Sequence, residues 1–386
     1  MILSRFPYPL EKGDKLRGFH QLKELSREFN ITLITTSDTK ISKEAIEIVR
    51  KYCVTIHIFK LNKLSIIFNV LFQFLTNKPF QIGYFYSSKI NFQIQQILKS
   101  LEPDHIYCQL IRVSEYVKNY HGCSKTIDYM DALSKGIERR IEKAPFYTKW
   151  LFKSEAIRLA NYERKIFEYF ENHTIISEQD RELILHPNRK EIVCIPNGVD
   201  TSFFAKKTIK KEYDLVFVGN LSYSPNIEAI NTIINDILPA YNHKYNSLKL
   251  LLSGATPAQT IIKQIQNNPE IELTGWVDDI SDSYLKGKIF IAPMTIGTGL
   301  QNKLIEAMAL GIPCITTSLA NNALKAEHNE SVIVANNTAE MIDSIHTLLT
   351  NNTLYEKISQ NGKKFIIANF DWKIATSKLI ELIHKK

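Results

Sequence analysis

The chain has 386 residues, 48 of them Lys or Arg and 40 Asp or Glu, giving a net charge of +8, with hydrophobic residues at 44% and charged residues at 23%. That length exceeds what one core usually sustains, so two domains of roughly 150 to 200 residues are expected, and the composition excludes a disordered chain. The positive balance points to an anionic partner, whether nucleic acid, a phospholipid surface or a phosphorylated substrate.

Five cysteines (Cys53, Cys108, Cys123, Cys194, Cys314) are scattered in apolar, strand-like surroundings without a CxxC pair, which reads as structural thiols in a reducing compartment. The N-terminal MILSRFPYP lacks the apolar run of a signal peptide. Together these favour a cytoplasmic protein.

Gly13 falls in a loop after a first strand, and Asp14, Lys15 and Arg17 open an amphipathic segment over 14–29. In a Rossmann-like domain such a loop lies on the ligand side. Asp14 also reads as a plain first-turn acid favoured by the helix dipole, and Lys15 and Arg17 as a solvated face. From Ile31 onward, apolar runs at 31–36, 54–59, 105–110, 126–130, 173–177 and 191–196 alternate with helical periodicity such as that of 147–171. This is the pattern of a parallel sheet with crossover helices. The most hydrophobic stretch, 64–75, falls short of the roughly 18 residues that a membrane span needs. Its preferred reading is a buried helix. The competing one is shallow interfacial docking, suggested by Lys60, Lys63 and Lys78 around Phe68, Phe72 and Phe74. Ser177 and Asp180 read as a helix N-cap pair.

Asn197 and Gly198 form a turn signal, and the basic segment 206–213 reads as a solvated connection. A second alternating series follows, with strands at 214–219, 248–254, 270–277, 288–294, 313–317 and 331–335. Ser224 and Pro225 read as N-cap and N1 of a helix whose apolar face is Ile227, Ile230, Ile233, Ile234, Ile237 and Leu238. A last helix spans 374–384. The expected division is 1–196 with 372–386, and 197–371: an α/β protein of two Rossmann-like domains facing across a cleft, with the ligand at the carboxyl ends of their strands.

No GxxxxGK[ST], HExxH, GxSxG or D-x-D occurs, no GxGxxG follows the first strand of either half, and the histidines show no metal-ligand spacing. The richest segment is APMTIGTGLQNKLIEAMALGIPCITT (292–317), in which a strand ends, a glycine-rich loop follows and a helix begins. Gly297 and Gly299 let the backbone approach a ligand closely, and a helix start suits phosphate. Lys303 adds a charge one turn in, with Glu306 three residues further on the same face. The bland reading is a turn and a solvated helix residue, and spacing alone does not choose.

This segment resembles the E-x7-E region of retaining glycosyltransferase family 4, with Glu306 at the second, nucleotide-binding glutamate. YDLVFVGNLSYSPNIEAI (213–230), LTGWVDDI (273–280) and IPNGVDTSFF (195–204) fall in the family's order. PYPLEKGDKLRGFHQLKEL (7–25), CQLIRVSEYV (108–117) and DYMDALS (128–134) resemble a branch of bacterial sugar transferases of polysaccharide assembly. The resemblance implies a GT-B fold, no metal and no cofactor. It also implies transfer with retention from a UDP- or GDP-sugar to a glycan or lipid-linked acceptor, with peripheral contact at the inner-membrane surface and no nucleic acid.

It assigns Glu306 to the ribose, Lys303 to the diphosphate and Gly297, Thr298, Gly299 and Leu300 to the phosphate and sugar face. Gln301 and Asn302 at the helix start, Gly219 and Asn220, and Trp276 and Val277 beside the base complete the donor side. Gly13, Asp14, Lys15, Arg17 and Asp128 fall on the acceptor or phosphate side. Asp131 is the candidate for orienting or deprotonating the acceptor hydroxyl, with Asp128 its competitor; either could instead cap the next segment. Two departures stand out: Thr298 replaces the first glutamate of E-x7-E, and Asn220 to Asn226 contains no base, a gap for Lys303 to fill. Rival readings are a sugar-nucleotide epimerase on this fold and a silent nucleotide-sugar-binding protein.

Overall fold

The computed structural model describes residues 1–200, 209–296 and 299–385, apart from the side chains of 142 and 143. The predicted connection at 206–213 therefore lies partly outside the described residues. The chain forms two compact units, Met1–Pro196 with Ala375–Lys386, and Asn197–Ile374.

The first unit holds a seven-stranded sheet of β1 (Ile2–Leu3), β2 (Thr32–Ser37), β3 (Thr55–Lys60), β4 (His105–Gln109), β5 (Ser124–Asp128), β6 (Asn172–Ile175) and β7 (Val193–Cys194), in the order β3-β2-β1-β4-β5-β6-β7. The second holds six strands, β8 (Tyr213–Val218), β9 (Leu250–Ser253), β10 (Ile271–Leu273), β11 (Gly287–Ala292), β12 (Cys314–Thr316) and β13 (Ile333–Val334), in the order β10-β9-β8-β11-β12-β13. Every pairing is parallel. The strands read as near-continuous Val, Ile and Leu because helices cover both faces of such sheets. In β8, β9 and β11, Leu215, Phe217, Leu250, Leu252, Ile289 and Ile291 have no exposed surface.

Strand order reverses at β1/β4 in one unit and at β8/β11 in the other, and these switch points are where open parallel sheets bind ligands. Each strand predicted from Ile31 onward is present, trimmed where the chain turns: the run predicted over 270–277 ends at Leu273 because Gly275 takes φ +70°. Central β1 has only two residues and leaves almost no periodic signal.

Ser177 caps helix Glu178–Leu183 by accepting from the Asp180 amide. The helix predicted to be capped by Ser224 starts at Ser224 itself, since the first intrahelical bond runs from the Ile227 amide to the Tyr223 carbonyl. Pro225 is tolerated within the first turn because it has no amide to satisfy. Helix Trp372–His384 packs Ala375 and Leu379 into the core of the first unit with Leu3, Phe19 and Leu33.

The preferred reading of 64–75 is overturned. The segment forms helix Lys63–Phe72 and a 3-10 turn, Gln73–Leu75, but Leu64, Phe68 and Leu75 are 76%, 78% and 83% exposed. High hydrophobicity favours burial, yet among the described residues no other element covers this face. Among the described residues no helix is long and apolar enough to cross a membrane.

Candidate active site

In the second unit, three strand ends are tied together by backbone bonds from the Gly219 amide to the Ser253 carbonyl and from the Gly254 amide to the Gly275 carbonyl, each 3.0 Å. Gly254 stands at φ +147°, where a Cβ would lie 1.7 Å from the Gly219 oxygen, so this junction admits only glycine. From it the chain turns through Asn220 into helix Ser224–Thr232. Buried Asn226 locks the turn: its Nδ2 donates to the Asn220 carbonyl at 2.8 Å, and its Oδ1 accepts from Lys303 Nζ at 2.5 Å.

Lys303 comes from the other side of the switch point, in the first turn of helix Asn302–Ala309 after β11. Its ammonium reaches the turn that lacks a base of its own, lying 5.3 Å over the Phe217 ring and 3.6 Å from Met294 Sδ. Burial pulls its pKa down to about 8, against the attraction of Glu306. Glu306, one turn on, accepts from the Tyr284 hydroxyl at 2.8 Å. Burial pushes its carboxyl up to about 7, opposed by that hydrogen bond and by Lys303. Neither side chain is therefore a freely solvated helix residue. Ionisable groups with perturbed pKa values cluster at functional sites, and ligands of open parallel sheets bind at such strand-end crevices.

Around this pair the structure sets several predicted residues. Asn302 Oδ1 accepts from Asn197 at 3.5 Å, and Gln301 donates to the Gly299 carbonyl at 2.9 Å, while Gly299 and Leu300 are half-buried. Gly219 and Asn220 belong to the tied turn. Trp276 is 70% exposed beside half-buried Val277, just past Gly275. Gly297 and Thr298 lie outside the described residues.

In the first unit the assignments of Arg17 and Asp128 to the acceptor or phosphate side are corrected. Both are fully buried and joined in a two-pronged ion pair, Arg17 Nε to Asp128 Oδ2 at 2.6 Å and Nη2 to Oδ1 at 3.2 Å. Tyr107 and Thr174 hydroxyls add bonds of 2.6 and 3.0 Å to the same carboxylate, and the Pro196 carbonyl accepts from Arg17 at 3.4 Å. With every acceptor site taken and no surface exposed, this pair ties helix Gly13–Leu25 to the sheet and has no room for a ligand.

Gly13, Asp14 and Lys15 do reach the surface at the start of that helix. Asp14 holds Arg5 at 2.5 Å and Arg112 at 3.7 Å, with both guanidiniums 5.5 Å from the centre of the Phe85 ring. The β1/β4 switch point thus carries a cluster of cations.

Asp131 follows β5 after Met130, which stands at φ +63°, an uncommon conformation for a residue with a side chain. Its carboxyl is pushed up to about 6, first by desolvation and then by Asp180, against Arg112 and Arg139. Asp131 itself is exposed, within reach of solvent.

Reading the sequence missed Arg5, Arg112, Asn226 and Tyr284. Arg112 and Asn226 sat inside quoted motifs, whereas Tyr284, 22 residues from Glu306, left no signal of its role.

Residues 212–351 match the family described as glycosyl transferases group 1. Over 99% of the chain it is 23% identical to an uncharacterized 44.6 kDa protein in the cps region of Klebsiella pneumoniae, 98% of which is covered. It is 24% identical to the capsular polysaccharide biosynthesis glycosyltransferase CapM of Staphylococcus aureus, over 47% of this chain and 49% of that one. Among solved structures, Anabaena Alr3699/HepE in complex with UDP and glucose superimposes with a TM-score of 0.67 at 13% identity, covering 100% of this chain and 99% of the other. With two parallel sheets that each reverse strand order at a strand-end switch point, the chain carries the GT-B fold, and its residues 212–351, which include Lys303 and Glu306, are similar to the group 1 glycosyl transferases.

Proposed function

We propose that this protein transfers a sugar, with retention and without a metal, from a UDP- or GDP-linked donor to a glycan or lipid-linked acceptor in the cytoplasm, as a step of surface polysaccharide assembly. In such a transfer the anomeric carbon parts from the diphosphate oxygen and bonds to the acceptor oxygen, and the acceptor proton leaves. Charge builds on the departing diphosphate, so a preorganised cation there is the main catalytic device. The observation that carries the reading is Lys303, whose ammonium is half-buried at the β8/β11 crevice and, among the described residues, is held by neutral groups, Asn226 Oδ1 and Met294 Sδ. A diphosphate oxygen offers it a far stronger partner.

Glu306 is assigned the ribose hydroxyls, and the Gly297–Gln301 loop with the helix start the phosphates. On the first unit, Arg5, Lys15 and Arg112 suit an acceptor that itself bears phosphate, and Asp131, with a pKa of about 6, is assigned the acceptor proton.

The test is a thermal-shift screen against UDP, GDP, ADP and their sugars. A nucleotide at about 100 times its Kd adds about 2.7 kcal/mol of stability, and Lys303→Ala should erase most of the shift. A protein indifferent to every nucleotide tried overturns the reading.

A further inference from the structure

The first unit has a cavity of about 320 Å³ between the loop at 76–78, the 3-10 turn Ile111–Tyr116 with Lys118 just beyond it, and the end of helix Phe146–Ile166 with Tyr169. That volume falls in the lower part of the roughly 300–1,000 Å³ range of small-molecule sites. In its wall stands Glu115, whose side chain is 7% exposed. The carboxylate accepts from Lys78 Nζ at 2.7 Å, Lys118 Nζ at 2.6 Å and the Tyr162 hydroxyl at 2.8 Å. Desolvation pushes its pKa up, but the bonds from Lys118, Lys78 and Tyr162 outweigh burial and hold it below the usual value. Glu115 is therefore charged at neutral pH and pins two ammonium groups beside the cavity. The facing loop is held as well, because Arg158 donates to the carbonyls of Thr76 at 2.5 Å and Lys78 at 3.1 Å.

The lining identifies the ligand. Lys78, Lys118 and Lys165 against Glu115 leave an excess of positive charge, and among the described residues no other Asp, Glu, Lys or Arg lines the cavity. An ammonium has three N–H donors, so Lys78 and Lys118 keep donors for a second anion after bonding Glu115. Half-buried Tyr169, with Lys118 Nζ 5.4 Å from its ring centre, and buried Ile166 supply an apolar wall. Exposed Asn77 and Asn161 supply amides that both donate and accept. A bare anion would engage the lysines and leave the ring and amides idle. A sugar that carries a carboxylate or phosphate uses all three: its anion meets the ammonium groups, its hydroxyls the amides, and the C–H face of its ring Tyr169.

We propose that this cavity is a second ligand site, which binds an anionic sugar with its charge on Lys78, Lys118 and Lys165 and its ring on Tyr169. The site shares no residue with the donor crevice or with the Arg5, Lys15 and Arg112 cluster. It stands apart from the transfer reading, because its binding is measured without nucleotide and without turnover.

The full-length protein is titrated calorimetrically with glucuronate, glucose 6-phosphate, glucose and acetate. The two charged sugars are expected to bind, less tightly as salt is added. Glucose, which lacks the charge, and acetate, which lacks the ring, should each bind at least about tenfold more weakly, the loss expected when a charge-assisted contact or a packed ring is missing. Lys165→Glu should weaken glucuronate binding at least about tenfold, with an unchanged melting curve because Lys165 is exposed. Lys303→Ala and Lys15→Glu, which alter the donor crevice and the other cation cluster, should leave it as it was. No binding of either charged sugar, acetate binding as tightly as glucuronate, binding that survives Lys165→Glu, or binding lost in Lys303→Ala or Lys15→Glu would each overturn the proposal.

Discussion

Each unit holds one cation–carboxylate pair whose cation stands on the helix that follows a switch-point strand, and the two pairs have opposite characters. Arg17 and Asp128, 111 residues apart in sequence, are joined directly, fully buried and saturated by Tyr107, Thr174 and the Pro196 carbonyl. Lys303 and Glu306 are one helical turn apart yet bind neutral partners, Asn226 and Tyr284, instead of each other. The first pair spends its charge on itself and has none to offer. The second remains under-satisfied, with both pKa values drawn towards neutrality, which is the condition of groups waiting for a ligand.

The largest effect is expected at the saturated pair. Asp128→Ala leaves a buried guanidinium without its counter-charge and should cost about 3–5 kcal/mol, read from urea unfolding. Replacing both partners, Arg17→Met with Asp128→Leu, should recover most of that loss, since the pair's own desolvation penalty disappears with it. A stable Asp128→Ala protein that no longer transfers sugar would break the comparison by making this pair functional.

Lys303→Ala should behave in the opposite way, lowering kcat about 10²-fold or more, equivalent to about 2.7 kcal/mol in the transition state. The urea midpoint should hardly move. A fall in stability with intact turnover would place Lys303 in the framework alongside Arg17.

Next in size is a pH effect at Glu306. Its folded pKa of about 7 lies above the ordinary 4.5, so the folded state holds a proton that the unfolded chain has released, and stability falls as pH rises from 4.5 to 7. Glu306→Gln should remove that slope and gain on the order of 2 kcal/mol at pH 8, with no gain at pH 4.5. The proposed roles need Glu306 ionised and Lys303 protonated for donor binding, so kcat/KM should rise through about pH 7 and fall through about pH 8. Unfolding curves and rate profiles across this range check both signs.

The contrast between the pairs also explains what could be read from the sequence. A local i, i+3 pair after a glycine-rich loop is visible in one line of residues, and so were Lys303 and Glu306. The Arg17–Asp128 pair spans β1 to β5, and only the strand order brings it together, so Arg17 looked like a surface cation. Parallel strands announced themselves by continuous Val, Ile and Leu, whereas two-residue β1 had too little chain to show a period. The misread segment was 64–75, because hydrophobicity reports a preference to leave water and says nothing of what will provide the shelter.

The smallest effect sharpens the comparison most. Tyr284 donates to Glu306 from a fully buried position and holds the carboxyl below the value that burial alone would give. Tyr284→Phe keeps the ring's packing and removes one hydrogen bond, costing about 1 kcal/mol of stability. Loss of a donor to the charged form raises the carboxyl pKa further. The acid limb of the kcat/KM profile should therefore move to higher pH by about half a unit to one unit, while the alkaline limb, set by Lys303, stays in place. Both limbs unmoved would mean that Glu306 is not the group whose ionisation governs donor binding. Both limbs moving together would mean that Lys303 and Glu306 titrate as one coupled pair, which would bring them closer in kind to Arg17 and Asp128.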